Sequence, residues 1–198
     1  MKLFQTVICI GTSTGGPGAL ERVLTRLPED FPAPLFIVQH MPKTFTKALA
    51  DRLDAISAIR VKEAEEGDKA EPGAAYIAPG GKHMKVGPTD SGVIIKLDSP
   101  NSVKGHCPSV NELFKSATTL KDYRKVAVIM TGMGSDGTEG LRLLKAAGKT
   151  LAITESEISS VVFGMPKSAG ATGMVDIVLH VDHIAEHLMK IVMPTRRS

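Results

Sequence analysis

The sequence predicts an α/β fold: a mostly parallel, doubly wound sheet flanked by helices, with an antiparallel hairpin at one edge. Three observations carry this expectation. Short aliphatic runs without polar alternation stand at residues 7–11, 35–40 and 126–131, as expected of strands covered on both faces. Apolar residues at helical spacing fall between and after such runs, which makes strand–helix–strand units. Three β-rich stretches across residues 74–97 are separated by Pro-Gly-Gly and Gly-Pro-Thr-Asp-Ser-Gly, turn chemistry that reads as an inserted hairpin.

Each element follows in order. Residues 7–11 form the first strand. In residues 17–27, Leu20, Val23, Leu24 and Leu27 share one helical face, and Pro17 suits a first turn. Residues 35–40 form the second strand, and a helix covers about residues 44–55. A strand at residues 59–64 leads into a mixed-sign run, 65–71, read as a solvated turn. After the hairpin, residues 108–120 form a helix in which Ser109 and Glu112 have capping-box spacing. The strand at 126–131 is followed by a helix after Gly137 that ends near Gly148, a C-terminal glycine cap. Next come a strand at 150–154, a short helix after Pro166, a strand at 175–179 and a last helix from Asp182. No repeat and no linker divides the chain.

Composition narrows the function. The chain has 198 residues, a net charge of +3, six Phe, two Tyr and no Trp. So few aromatic platforms and so small a charge exclude an ordinary nucleic-acid-binding protein. No apolar run is long enough to insert in a membrane, and the N-terminal run ends in a glycine turn rather than a signal-peptide cleavage site. Two cysteines, Cys9 and Cys107, cannot build a disulfide framework. These features fit a cytoplasmic protein.

In an open parallel sheet, ligands bind beyond the carboxyl ends of the strands. Three segments fall there: Gly-Thr-Ser-Thr-Gly-Gly with Ser13, Gln-His-Met-Pro with His40, and Thr-Gly-Met-Gly-Ser-Asp-Gly with Asp136. A hydroxyl, an imidazole and a carboxylate are the parts of a nucleophilic hydrolase. Alone, Ser13 and Asp136 equally suit helix caps, and His40 a histidine bonding backbone. Their coincidence at three equivalent strand ends favours catalysis. The glycine turn lacks both G-x-G-x-x-G and Gly-Lys-Ser/Thr, and the second strand ends in Gln39 and His40 where a ribose would need a carboxylate. A nucleotide-binding module is thus the weaker reading. The N–H of Thr14 stands where an oxyanion donor is needed. His183 and His187 have i, i+4 spacing but no evident third ligand, so no metal site is read from them. His83, His106, Met165 and the lysines Lys43 and Lys47 read as structural or surface residues.

The segments IGTSTGGPGAL, VQHMPKTFTKALADRL, AAYIAPGGKHM, HCPSVNELF, VIMTGMGSDGTEGL and SSVVFGMPKSA together resemble the catalytic domain of the chemotaxis protein-glutamate methylesterase (CheB) family. The resemblance runs from about Val7 to about Met189. It implies a cofactor-free serine hydrolase that removes methyl groups from glutamyl esters of chemoreceptors and in some cases deamidates receptor glutamines. By motif, Ser13 corresponds to the family's nucleophile, His40 to its base and Asp136 to its carboxylate. Thr14 and Met133 are expected to supply oxyanion N–H groups. Residues 1–198 would then be one catalytic domain, with no counterpart in this chain to the family's receiver domain. The implied partners are the helical cytoplasmic region of chemoreceptors and, in a full-length form, that receiver domain.

Overall fold

The computed structural model describes residues 3–99 and 106–193. In chain order the elements are β1 (Thr6–Thr12), α1 (Gly16–Leu24), β2 (Leu35–Gln39), α2 (Lys43–Ile56), β3 (Arg60–Glu63), β4 (Ala74–Ile77), β5 (His83–Thr89) and β6 (Gly92–Asp98). They continue with α3 (Val110–Ala117), β7 (Arg124–Ile129), α4 (Thr138–Ala146), β8 (Thr150–Glu155), α5 (Met165–Gly170), β9 (Ile177–Leu179) and α6 (Val181–Val192). Seven strands pair in the order β3-β4-β2-β1-β7-β8-β9, every pair parallel, while β5 and β6 form a separate antiparallel hairpin.

The unbroken apolar runs are the central strands, as expected. All residues of β1 and β2 are buried. Alternate side chains feed two cores. Ile8 and Ile10 pack with α1, α2 and α6. Val7 and Cys9 pack with α3, α4, α5 and the hairpin. From the middle of the sheet the chain winds outward in both directions. The crossover β1-α1-β2 lies on one face and β7-α4-β8 on the other, as a single crossover hand demands. The switch point therefore falls at β1 and β7, and a crevice opens at their carboxyl ends.

Two local expectations are corrected. Residues 74–77 do not belong to the hairpin but form β4, parallel to β2 and β3. Burial on both faces explains this, with Tyr76 stacked on Phe36 at 5.9 Å; the Pro-Gly-Gly that follows ends a strand rather than turning a hairpin. The charge run 65–71 is more than a solvated turn. Its side chains are mostly exposed, but Gly67 and Ala70 donate to Ile95 and Val93, and Ile95 donates back to Asp68. It is a third, irregular strand that fastens the hairpin to the β3 end of the sheet.

Ser109 is the N-cap of α3 and accepts from the Glu112 N–H at 3.4 Å, realising half of the expected capping box. The helix itself is shorter than residues 108–120 suggested. Gly148 takes a φ of 77° after α4, as a C-terminal glycine cap requires.

One core residue is out of place energetically. Lys125, in β7, is 1% exposed, and its Nζ has no hydrogen-bond partner. Burial, reinforced by the charge of Lys149, holds its pKa below the ordinary lysine value. The unfolded chain therefore binds more protons in the window between the two values, and stability contributed by this site rises with pH there. Lys125→Met should raise unfolding free energy at neutral pH by about 1–3 kcal/mol. It should also flatten that alkaline rise, as read from urea midpoints near neutrality and at high pH.

Candidate active site

The carboxyl ends of β1, β2, β7 and β8 bring four loops together. Register pairs Gly11 with Val38 and Thr12 with Gln39. Ser13 and His40 thus occupy the next position on neighbouring strands, which run about 4.8 Å apart. The His40 N–H donates to the Thr12 carbonyl at 3.1 Å, extending the ladder to this level.

His40 and Asp136 are in direct contact. Nε2 of His40 lies 2.7 Å from Oδ2 of Asp136, and both side chains are 7% exposed. Asp136 comes from the loop after β7 and also receives the first N–H groups of α3. Its carboxylate accepts from the N–H groups of Val110 (2.7 Å) and Asn111 (2.9 Å) and from Oγ of Ser109 (3.0 Å). Burial alone would raise its pKa, but the hydrogen bonds from His40 and from the Asn111 and Val110 N–H groups outweigh burial and hold it below the usual carboxylate value. The clasp is reciprocal. Oδ1 of Asn111, in α3, accepts from the N–H groups of Gly137 and Gly140 at the start of α4. Gly11 permits it, because a Cβ there would lie 2.4 Å from Cγ1 of Val110 and push the α3 N-terminus away.

A carboxylate only accepts, so Nε2 of His40 carries a proton. Nδ1 is buried and makes no hydrogen bond. The hydroxyl of Ser13 is therefore not bonded to the imidazole, although Ser13 stands beside it in register. His106, read from sequence as structural or surface, stacks on the His40 ring with centroids 4.1 Å apart and planes 14° from parallel.

The serine turn is held by backbone and buried side chains. The Ser13 N–H donates to the Thr131 carbonyl at 3.0 Å. Oγ1 of Thr131 donates to the Thr14 carbonyl at 2.9 Å, and its N–H donates to Oε2 of Glu155 at 2.8 Å. Glu155 is 1% exposed, and its second oxygen has no partner. On the β2 side, Nε2 of Gln39 donates to the carbonyls of Ser13 (2.9 Å) and His40 (3.0 Å). Thr14 and Met133 lie at the surface, and among the described residues neither N–H donates to a backbone carbonyl.

Sequence reasoning missed Gln39, Thr131 and Glu155 as parts of this assembly. The one available signal was a polar residue closing an otherwise apolar strand. The remaining candidates lie elsewhere. His183 and His187 are on α6, against the opposite face of the sheet, and His83 is buried in the hairpin. Lys47, on α2, pairs with Asp51. Among the described residues no group of His, Cys, Asp or Glu has a metal-binding arrangement.

A doubly wound α/β protein with a histidine–carboxylate pair beside a glycine-rich serine turn, all at the switch point, is the class that this fold and site define. The CheB methylesterase family model matches residues 8–188, and the chain belongs to that family. It is 54% identical over 185 residues to a protein-glutamate methylesterase/protein-glutamine glutaminase of Bacillus licheniformis, covering 93% of this chain and 52% of the relative. It is 50% identical over 192 residues to the Bacillus subtilis protein of the same name, covering 97% and 54%. The chain thus spans about half the length of these curated relatives. The crystal structure of the Thermotoga maritima CheB methylesterase catalytic domain superposes with a TM-score of 0.89 at 41% identity, over 96% of this chain and 99% of that one.

Asp136 supplies a test of the clasp. Its folded pKa lies below its unfolded one, so its contribution is complete above the unfolded value and is lost as pH falls through the folded value. Asp136→Asn should cost about 1.5–3 kcal/mol at neutral pH. The difference from the parent protein should shrink at acidic pH, as read from urea unfolding at both.

Proposed function

We propose that this chain is a serine-dependent protein-glutamate methylesterase, with Ser13 as nucleophile, His40 as general base and Asp136 as the carboxylate that orients it. The observation that carries the reading is the buried His40–Asp136 pair, which leaves Nδ1 of His40 without a partner on the strand next to Ser13 and level with it. With Nε2 engaged by Asp136, the free lone pair is on Nδ1, and this nitrogen takes the serine proton.

The steps balance as an ordinary ester hydrolysis. Oγ of Ser13 attacks the glutamyl ester carbonyl as its proton passes to Nδ1. The oxyanion is held by the N–H groups of Thr14 and Met133. The tetrahedral intermediate collapses, the C–O bond to the methoxy group breaks, and His40 returns the proton so that methanol leaves. Water, deprotonated by the same Nδ1, then attacks the acyl-serine; the bond to Oγ breaks, His40 returns the proton to Ser13, and the glutamate side chain leaves as the acid, which ionises. Asp136 stabilises the imidazolium throughout and stays ionised, which its lowered pKa favours. A glutamine side chain fits the same route with ammonia as leaving group, and the second half of the relatives' name, protein-glutamine glutaminase, supports that extension.

The substrate is a side chain on a protein surface. Exposed residues around the serine turn support this: Met133 is 67% exposed and Val161 72%. We assign as partners the helical cytoplasmic region of methyl-accepting chemoreceptors and, in a full-length form, a receiver domain. The described residues act as a single catalytic domain in the cytoplasm; no helix among them is long and apolar enough to cross a membrane.

Ser13→Ala tests the assignment. Methanol release from methylated receptor membranes should fall by at least about a hundredfold, as loss of a nucleophile requires. A serine-directed phosphonate should label the parent protein at Ser13 and leave the variant unlabelled. Near-parental turnover by Ser13→Ala would remove Ser13 as the nucleophile.

A further inference from the structure

A trans peptide points its C=O and N–H in opposite directions. Whatever holds the Ser13 carbonyl therefore aims the Thr14 N–H, since the two belong to one peptide plane. That carbonyl accepts two hydrogen bonds, from Nε2 of Gln39 at 2.9 Å and from the Gly16 N–H at 2.9 Å. The second hydrogen of the same amide goes to the His40 carbonyl at 3.0 Å. Its Oε1 accepts from Oγ1 of Thr12 at 2.5 Å. Gln39 is 2% exposed and Thr12 fully buried, so no water competes for these groups. The amide is also wedged in place: a Cβ on Gly16 would lie 1.8 Å from its Oε1.

We propose that Gln39 is a positioning residue of the hydrolytic site. It ties the backbone of Ser13 to that of His40 and holds the Ser13–Thr14 peptide with its N–H turned toward the oxyanion. This rests on the reading of Ser13 and His40 given above. The chemistry accounts for the residue type. Two neighbouring carbonyls need two donors from one small planar group, and an amide supplies both from a single nitrogen. The two carbonyls decide which end of the amide faces them, and the Thr12 hydroxyl anchors the other end by donating to Oε1. A flipped amide would set Oε1 against two carbonyl oxygens.

Two variants separate this role from a merely structural one. Gln39→Glu keeps size and shape but replaces the donating nitrogen by an oxygen. It should lower kcat for methanol release by about a hundredfold, the loss typical of a misplaced oxyanion donor, with KM within about threefold of the parent. Phosphonate labelling of Ser13 should slow in parallel. Thr12→Val leaves the amide intact but unanchored, and should lower kcat by about tenfold, again with little change in KM. Thermal unfolding is measured for both. If Gln39→Glu is less stable but its folded protein turns over within twofold of the parent, the proposal is wrong. If Gln39→Glu does not fold, Thr12→Val decides, and an unchanged kcat overturns the proposal. The Ser13→Ala control keeps the two failures apart: an active Ser13→Ala variant refutes the assignment of Ser13, whereas an inactive one with normal Gln39→Glu and Thr12→Val variants refutes only the role of Gln39.

Discussion

The carboxylate of Asp136 is the contact on which the site depends. It fixes the imidazole of His40, caps the first turn of α3 and receives the Ser109 hydroxyl. Asn111 answers from α3 by capping α4, the helix that follows Asp136. Two helices on one face of the sheet are thereby locked at the level of the strand ends, and the carboxylate between them cannot move without uncapping a helix. A group so fully bonded from buried N–H donors stays ionised despite its burial. That is the condition for orienting an imidazole and stabilising its cation.

The sheet supplies the second constraint. Ser13, His40 and the Thr131 loop are adjacent because β2, β1 and β7 are adjacent, and the adjacency arises from reversal of winding at the centre. Cross-strand bonds carry this order past the end of the regular ladder: His40 to Thr12, Ser13 to Thr131, and Thr131 to Glu155. The serine turn thus inherits the rigidity of four strands.

This explains what was legible in the sequence. The central strands declared themselves because burial on both faces removes polar alternation, and Ser13, His40 and Asp136 could be picked because they close three such runs. Residues 74–77 were misassigned because a short buried run carries no record of which strand lies beside it. The backbone pairing of residues 67–70 was hidden behind exposed charges that signal solvent equally well in a turn. Gln39 reads from sequence only as a strand end, and Glu155 lies just beyond the strand expected at 150–154, because their partners are backbone groups on other strands, which no local pattern encodes. His106 could not be placed, since its stacking on His40 depends on where α3 begins in space.

The buried polar atoms divide by task. Gln39 uses both donors and its acceptor, and Asp136 is saturated; each holds something still. Nδ1 of His40 is buried, covered on its ring face by His106, and has no partner. An unmet buried polar atom costs about 1–3 kcal/mol, so folds rarely keep one without reason. Here the cost falls on the atom that the proposed mechanism requires to be free. A partner on Nδ1 would have to be displaced before the nitrogen could take a proton, and that displacement would add to the barrier of every turnover. In Gln39 and Asp136 the bonds are satisfied, whereas in His40 the nitrogen that the proposed mechanism uses is left open.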